Sequence, residues 1–525
     1  MHATALSLLL AGSFFLQAAG EDPLPASDPA VTRAELEHHV RFLASDALGG
    51  RESLTPGMER AAQYLARALA AAGCQPAGEN GTFFQDTGQR RLIYPKKPVL
   101  RFQRDDGVTV EAELGVDFAL RPRGRARSTG MLPLAFFYDY NHARMPLTGQ
   151  PAQALYFSAG KADKKRILEE KGIQGLADWG LELEVMAGEK SRTPGEAKEQ
   201  PERLGGGADE EGCEIVELRG KLVEDFERRR FTHVELVVEE VEAPFVDRNV
   251  VARIPGAGLP GKPEVAEEVV LLSAHYDHLG TRSTGKKERS DTIFNGADDN
   301  ASGCAALLEL AQGLASGPQP ARTLVLLFTA GEESGGHGSQ RYLAAPPHPL
   351  AKTVANLNLE MLGRPDDEIG GAGRLWLTGF ERSNLGPLLA EGGLPIVADP
   401  RLEQRFFQRS DNYAFALEGV VAQTLSSFAL HPEYHTARDE ADTLDFAHLE
   451  AATRVAHEAA RLLSDGSLAP AWHEGKRPQR FTGTLPTEPK SDEEKAAERE
   501  RLKAERKKAG ERKGDSAASG ADDPK

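Results

Sequence analysis

The sequence predicts an α/β fold: a mostly parallel mixed sheet flanked by helices, with an inserted smaller α+β or β-rich domain and a disordered charged C-terminal tail. Three observations carry this. From Arg248 onward, apolar runs of strand length alternate with segments of helical periodicity, as in strand–helix–strand units. One run, Leu324 to Phe328, is apolar without interruption, the mark of a strand buried on both faces. From about 98 to 247 the texture changes to short apolar runs, and past 466 it becomes charged and core-poor.

Taken in order, an apolar segment from Ala5 to Leu16 precedes Ala18, Ala19 and Gly20 and then charge. That is the layout of a secretory signal peptide over 1–20, which implies export to a periplasm or the exterior. Two helical stretches follow within 21–97: TRAELEHHVRFLASDALGGRES, and TPGMERAAQYLARALAAAG, which ends at Gly73. The insertion, 98–247, carries LPLAFFYDY, AQALYFSA, THVELVVEEV and one helical piece, KADKKRILEEKG; AGEKSRTPGEAKEQPERLGGGADEEG reads as a mobile loop. Within 248–465, VVLLSAHYD, TLVLLFTA, TVANLNLEML, RLWLTG and VVAQTL read as strands. SGCAALLELAQGLA, SNLGPLLAEGG and DFAHLEAATRVAHEAARLLSDG read as helices. The remainder, 466–525, is the tail.

At 525 residues the chain exceeds one ordinary core. A formal charge of −17 without basic patches argues against a nucleic-acid partner. No run after the leader approaches the about 18 apolar residues of a membrane helix, so no stable membrane insertion is expected. Cys74, Cys213 and Cys304 make neither a disulfide framework nor a zinc-thiolate spacing.

The chemistry gathers just past the strands, where open α/β sheets bind their ligands. VVLLSA is followed by His275, Tyr276 and Asp277, and the next loop carries NGADDNASG, Asn295 to Gly303. TLVLLFTA leads to Gly331, Glu332 and Glu333, and TVANLNL to Glu360. VVAQTL opens onto SSFALHPEYHTARDEAD, with His431, His435, Asp439 and Asp442. Each piece alone is unremarkable: a strand-end histidine, a turn that caps a helix, a solvated Glu pair. Five on one sheet edge are the imidazole and carboxylate donors that a zinc pair needs, with no cysteine required. Asp277, two residues past His275, is positioned to fix the imidazole tautomer, and Asp439 to do the same near His435.

The series LLSAHYDHLG, NGADDNASG, FTAGEESGGHGSQRYL, NLEMLGR and HPEYHTARDEADTLDF resembles the double-zinc aminopeptidase family of metallopeptidases, from Arg248 to about Leu463. That family also contains glutamate-carboxypeptidase-like and glutaminyl-cyclase-like members, and many relatives carry a protease-associated domain where the middle unit stands. The resemblance implies His275 and Glu360 on one zinc, Asp299 as the bridge with a cis Asp299–Asn300 peptide, and Glu333 and His435 on the second. Glu332 then becomes the general base of a hydrolysis by metal-bound water, with Asp277 as a supporting catalytic residue. Glu360 departs from the family's usual Asp, and Ser410-Asp411-Asn412 from its usual Ser-Asp-His. The expected cofactor is two Zn2+ ions, or one if Glu360 does not coordinate.

The resulting expectation is an exported zinc exopeptidase, an aminopeptidase acting on a peptide or aminoacyl substrate. Its alternatives are a single-zinc, glutaminyl-cyclase-like acyltransferase and a catalytically inactive binding module of the same fold.

Overall fold

Strands that are apolar at every position need cover on both faces, and the main sheet provides it. The computed structural model describes residues 22–25, 28–114, 117–121, 128–137, 154–157, 181–185, 202–205, 214–218, 222, 230–239, 241–282 and 291–480. The main sheet comprises β1 (Phe84–Ile93), β2 (Glu202–Gly205), β3 (Val241–Ile254), β4 (Val269–His275), β5 (Thr323–Thr329), β6 (Thr353–Leu359), β7 (Leu375–Leu377), β8 (Ile396–Ala398) and β9 (Val421–Ser426). Its order is β8-β7-β9-β6-β4-β5-β3-β1-β2, with the short pair Gln75–Pro76 also against β3. The four central strands, β9, β6, β4 and β5, are mutually parallel. Antiparallel neighbours close both flanks: β7 beside β9, and β3, β1 and β2 beyond β5.

Among the described residues, seven helices accompany the sheet: α1 (Arg33–Leu43), α2 (Pro56–Ala71), α3 (Gly303–Ser316), α4 (His337–Ala344), α5 (Leu385–Glu391), α6 (Asn412–Leu417) and α7 (Phe446–Ser464). Alternate strand residues go to opposite sides, as the pleat requires. Val270, Leu272 and Ala274 of β4, with Leu324, Leu326 and Phe328 of β5, pack in a core shared with α1, α2, α3 and α7. Val269, Leu271, Val325 and Leu327 face the other way, against Tyr342 of α4 and Phe415 of α6. Helix starts follow ordinary capping: the Thr32, Thr55 and Asp445 side chains accept the first backbone N–H groups of α1, α2 and α7.

A second sheet runs in the order Thr109–Glu113, Val99–Arg104, Phe231–Val237, Leu132–Phe137, Ala154–Phe157, Leu181–Val185, Glu214–Leu218, Phe118–Arg121. It has its own apolar cluster around Leu100, Phe102, Phe118, Phe231, Val234 and Leu236. The helix expected over 161–172 lies outside the described residues, as do the apolar leader segment and the charged run from 481. Inside the stretch read as a loop, Glu202–Gly205 pairs with Arg90–Ile93 as β2, an ordering that only a distant partner strand can supply. Among the described residues no helix is long and apolar enough to cross a membrane.

Arg51 ties the first helices to the sheet edge. Its side chain is 1% exposed and donates to the carbonyls of Leu43, Tyr276, Asn295 and Gly296. Removing it leaves buried carbonyls unpaired at about 1–3 kcal/mol each. Arg51→Ala is therefore expected to lower unfolding free energy by roughly 3 kcal/mol or more, measured by urea denaturation. A second expectation concerns Glu309 on α3, which accepts from Thr32 N at 3.0 Å. Burial pushes its carboxyl up to about 8, with the Thr32 N–H opposing and Glu35 and Asp28 adding. Between the ordinary 4.5 and about 8 the folded state binds more protons than the unfolded state, so this group's contribution to stability falls as pH rises through that window. Glu309→Gln should flatten the decline in urea midpoint between pH 5 and pH 8.

Candidate metal centre

Strand register builds the site. His275 ends β4 opposite Thr329, the last residue of β5, so the residues after both strands emerge together. On the other side Ser273 pairs with Asn358, and Leu359 of β6 pairs with Leu425 of β9. Four parallel carboxyl ends thus bring Asp277, Glu332–Glu333, Glu360 and the loop after β9 to one rim. Gly331 makes the turn after β5 at φ +72°, where a Cβ would meet the His337 ring at 2.6 Å.

Three imidazoles and two carboxylates meet there. Nε2 of His275 lies 3.2 Å from Asp299 Oδ1. Nε2 of His435 lies 3.1 Å from both Asp299 Oδ2 and Glu333 Oε1. His278, which the sequence reading passed over, brings Nδ1 to 2.9 Å from Glu333 Oε1 and 3.9 Å from Asp299 Oδ2. The sequence signal for it was a second imidazole in HYDH, one residue past Asp277. His435 holds this position with φ +54°, a left-handed conformation that costs a histidine roughly 1–3 kcal/mol.

Backbone amides hold the carboxylates in place. Asp277 accepts the N–H groups of Glu332 at 3.0 Å and Glu333 at 3.2 Å. Its carboxylate stands 3.7 Å from His275 Nδ1, and its backbone oxygen is nearer, at 3.3 Å. Besides standing near the imidazole it is expected to orient, this carboxylate clamps the Glu–Glu turn. Asp439 does similar work on another peptide. It accepts from the backbone of Asp298 and Asp299 at 3.0–3.1 Å, and from Arg364 at 3.1 Å, and so fixes the peptide that carries Asp299. The Asp299–Asn300 bond is cis.

Three other candidates have further partners in the structure. Glu360 accepts from Asn358 Nδ2 at 3.2 Å and bonds Ser410; burial lifts it to about 7, with His275 opposing and Asp299 adding. His431 pairs with Asp298 at 3.1 Å. Asp442 points outward to Arg41 at 2.7 Å. Asn412, where the family's usual pattern has His, is buried and donates to the Phe407 carbonyl at 3.2 Å.

The donors fit a metal. Among the described residues, His275 Nε2, both ring nitrogens of His278 and Glu333 Oε1 are buried without a hydrogen-bond partner. Close approach without hydrogen bonds is costly between bare polar atoms and natural for atoms aimed at a shared cation. Nitrogen and carboxylate donors without thiolate suit zinc.

Residues 249–460 match the model of peptidase family M28. A probable leucine aminopeptidase of Trichophyton verrucosum (strain HKI 0517) is 26% identical over 230 residues, covering 42% of this chain and 58% of the relative. A probable zinc metalloprotease of Pyrenophora teres f. teres (strain 0-1) is 30% identical over 172 residues, covering 32% of this chain and 31% of the relative. The chain therefore spans 58% and 31% of their lengths. An aminopeptidase from Aneurinibacillus sp. strain AM-1 superposes with a TM-score of 0.45 at 17% identity, over 85% of this chain and 95% of that one.

Within the matched segment, Asp439 touches the candidate donor Asp299 through the backbone of Asp298 and Asp299. Asp439→Ala should weaken zinc affinity by about 10–100-fold, read by competition with a chromophoric chelator, while leaving every donor side chain in place.

Proposed function

We propose that the chain is an exported zinc-dependent exopeptidase, an aminopeptidase that removes N-terminal residues from peptides. The observation that carries this is the convergence of His275, His435 and Glu333 on Asp299, with Nε2 atoms 3.1–3.2 Å from its two oxygens. The donor chemistry and the M28 match of residues 249–460 support it.

His275, Asp299, Glu333 and His435 would hold the metal, with Glu360 at the rim on the His275 side. Zinc, when bound, supplies Lewis acidity toward the scissile carbonyl and the attacking water. Glu332 is the proton carrier. Its backbone N–H and that of Glu333 are both pinned by Asp277, at 3.0 and 3.2 Å, which fixes the turn that carries the two carboxylates. Burial holds the Glu332 carboxyl well above the usual range, with His275 opposing and Glu360, Asp411 and Glu333 adding. A carboxyl so raised takes a proton from water and returns it to a leaving amine. A pocket beside Glu360 is lined by Met361, Trp376, Phe406, Phe428 and Tyr434, with Arg409 at its wall. Its apolar rings suit an apolar N-terminal side chain, in keeping with the leucine aminopeptidase name of one relative.

A second reading has one specific support. Glu360 is engaged by Asn358 and Ser410 rather than by the imidazole cluster, which favours a single-zinc acyltransferase acting on N-terminal Gln. Incubation with Leu-p-nitroanilide, its N-acetyl form and a Gln-terminal peptide separates the two. The proposal expects chelator-sensitive release from the free-amine substrate alone; cyclisation of Gln without hydrolysis would overturn it. Glu332→Gln should keep its zinc and lose about 10²–10⁴-fold in kcat, checked by metal content and turnover on the same sample.

A further inference from the structure

His278 has no task in the reading above, yet its imidazole is as deeply enclosed as that of His275. Its side chain is fully buried, and neither ring nitrogen has a hydrogen-bond partner among the described residues. The ring is held from two sides. Its backbone N–H donates to the Arg51 carbonyl at 3.1 Å. Gly296, at φ +58°, lies so close that a Cβ there would come within 2.6 Å of the imidazole. An unpaired, desolvated imidazole fixed this tightly is costly unless something meets its nitrogen.

We infer that His278 is an additional zinc ligand, through Nδ1, at the position shared by Asp299, Glu333 and His435. This rests on the zinc reading above. The distances support it. With metal–ligand bonds of about 2.0–2.2 Å, donors around a tetrahedral zinc stand roughly 3.3–3.6 Å apart. His435 Nε2 is 3.1 Å from Asp299 Oδ2 and from Glu333 Oε1. His278 Nδ1 is 2.9 Å from that Glu333 oxygen and 3.9 Å from that Asp299 oxygen. These four contacts bracket the expected separation, and one donor atom each of His278, Asp299 and Glu333 lies within 4.8 Å of the others. A plain hydrogen bond from His278 to Glu333 is the competing account: the 2.9 Å separation allows one, although its angle falls outside ordinary hydrogen-bond geometry.

The consequence is an unequal centre. Four protein donors close the position at Glu333, as in structural zinc sites, whereas the position at His275 keeps room for reactants. The closed position would anchor Asp299, and the open one would face Glu332.

The test uses the full chain stripped of metal and titrated with zinc against a chromophoric chelator. His278→Ala and His278→Asn are compared, because the Asn amide can still donate a hydrogen bond toward Glu333 but is a poor zinc ligand. The inference expects two zinc ions on the parent chain, and in both variants one of them weakened by about 100-fold or more, at or beyond the upper end of what a lost outer hydrogen bond costs. Unchanged affinity in His278→Ala, or recovery in His278→Asn, would overturn it while leaving the zinc reading intact. A parent chain that takes up no zinc would instead overturn the zinc reading, and this inference with it. Zinc-edge anomalous maps of the parent chain guard against misfolded variants: a peak about 2.1 Å from His278 Nδ1 supports ligation, and a peak beyond 3 Å from it refutes it.

Discussion

Asp299 is the pivot of the molecule. A carboxylate that is 3% exposed, within 3.1–3.2 Å of two imidazoles and beside a second carboxylate, is tolerable only where its charge is answered. The surroundings are arranged to that end. Asp439 grips its backbone, Asp277 grips the Glu332–Glu333 turn, and Arg51 binds the Asn295 and Gly296 carbonyls just before it. Each of these partners is buried. The interactions that position the donors are therefore insulated from solvent and worth more than their exposed equivalents.

The sheet supplies the precision this pivot needs. Four parallel strands in fixed register deliver side chains from chain positions 275, 333, 360 and 435 to one rim, and helices on both faces hold that register. A one-residue slip would turn every side chain of the slipped strand to the opposite face. The fully buried character of β4, β5 and β9 thus serves position as well as stability. It also separates the adjacent Glu332 and Glu333: one reaches the imidazoles, while the other stands in a desolvated pocket that raises its carboxyl above the usual range.

Much of this was legible in the sequence because the signals were local. Unbroken apolar runs marked the central strands, and the residues just past them marked the rim; His275, Asp299, Glu333 and His435 come together as that pattern implied. What escaped depended on partners distant in the chain. The strand Phe84–Ile93 carries Gln, Asp, Gly and Arg and shows no clean alternation, yet it is ordered by pairing with β3. Asp277 and Asp439 were matched to imidazoles, the partners a sequence offers; their carboxylates also answer backbone N–H groups that no residue type reveals. His278 looked like one more polar residue after a strand. Its meaning comes from Glu333, from Asp299 and from a glycine whose missing side chain makes room for its ring.

All of this turns on whether the rim holds metal. The most direct measurement is the metal content of the full chain, purified without chelators and analysed by inductively coupled plasma mass spectrometry, with an Asp299→Ala chain alongside. The account predicts close to two zinc ions per parent chain and a loss of both in the variant, since one carboxylate serves both positions. A parent chain free of transition metal even after incubation with zinc, or an Asp299→Ala chain that keeps its full complement, would contradict it.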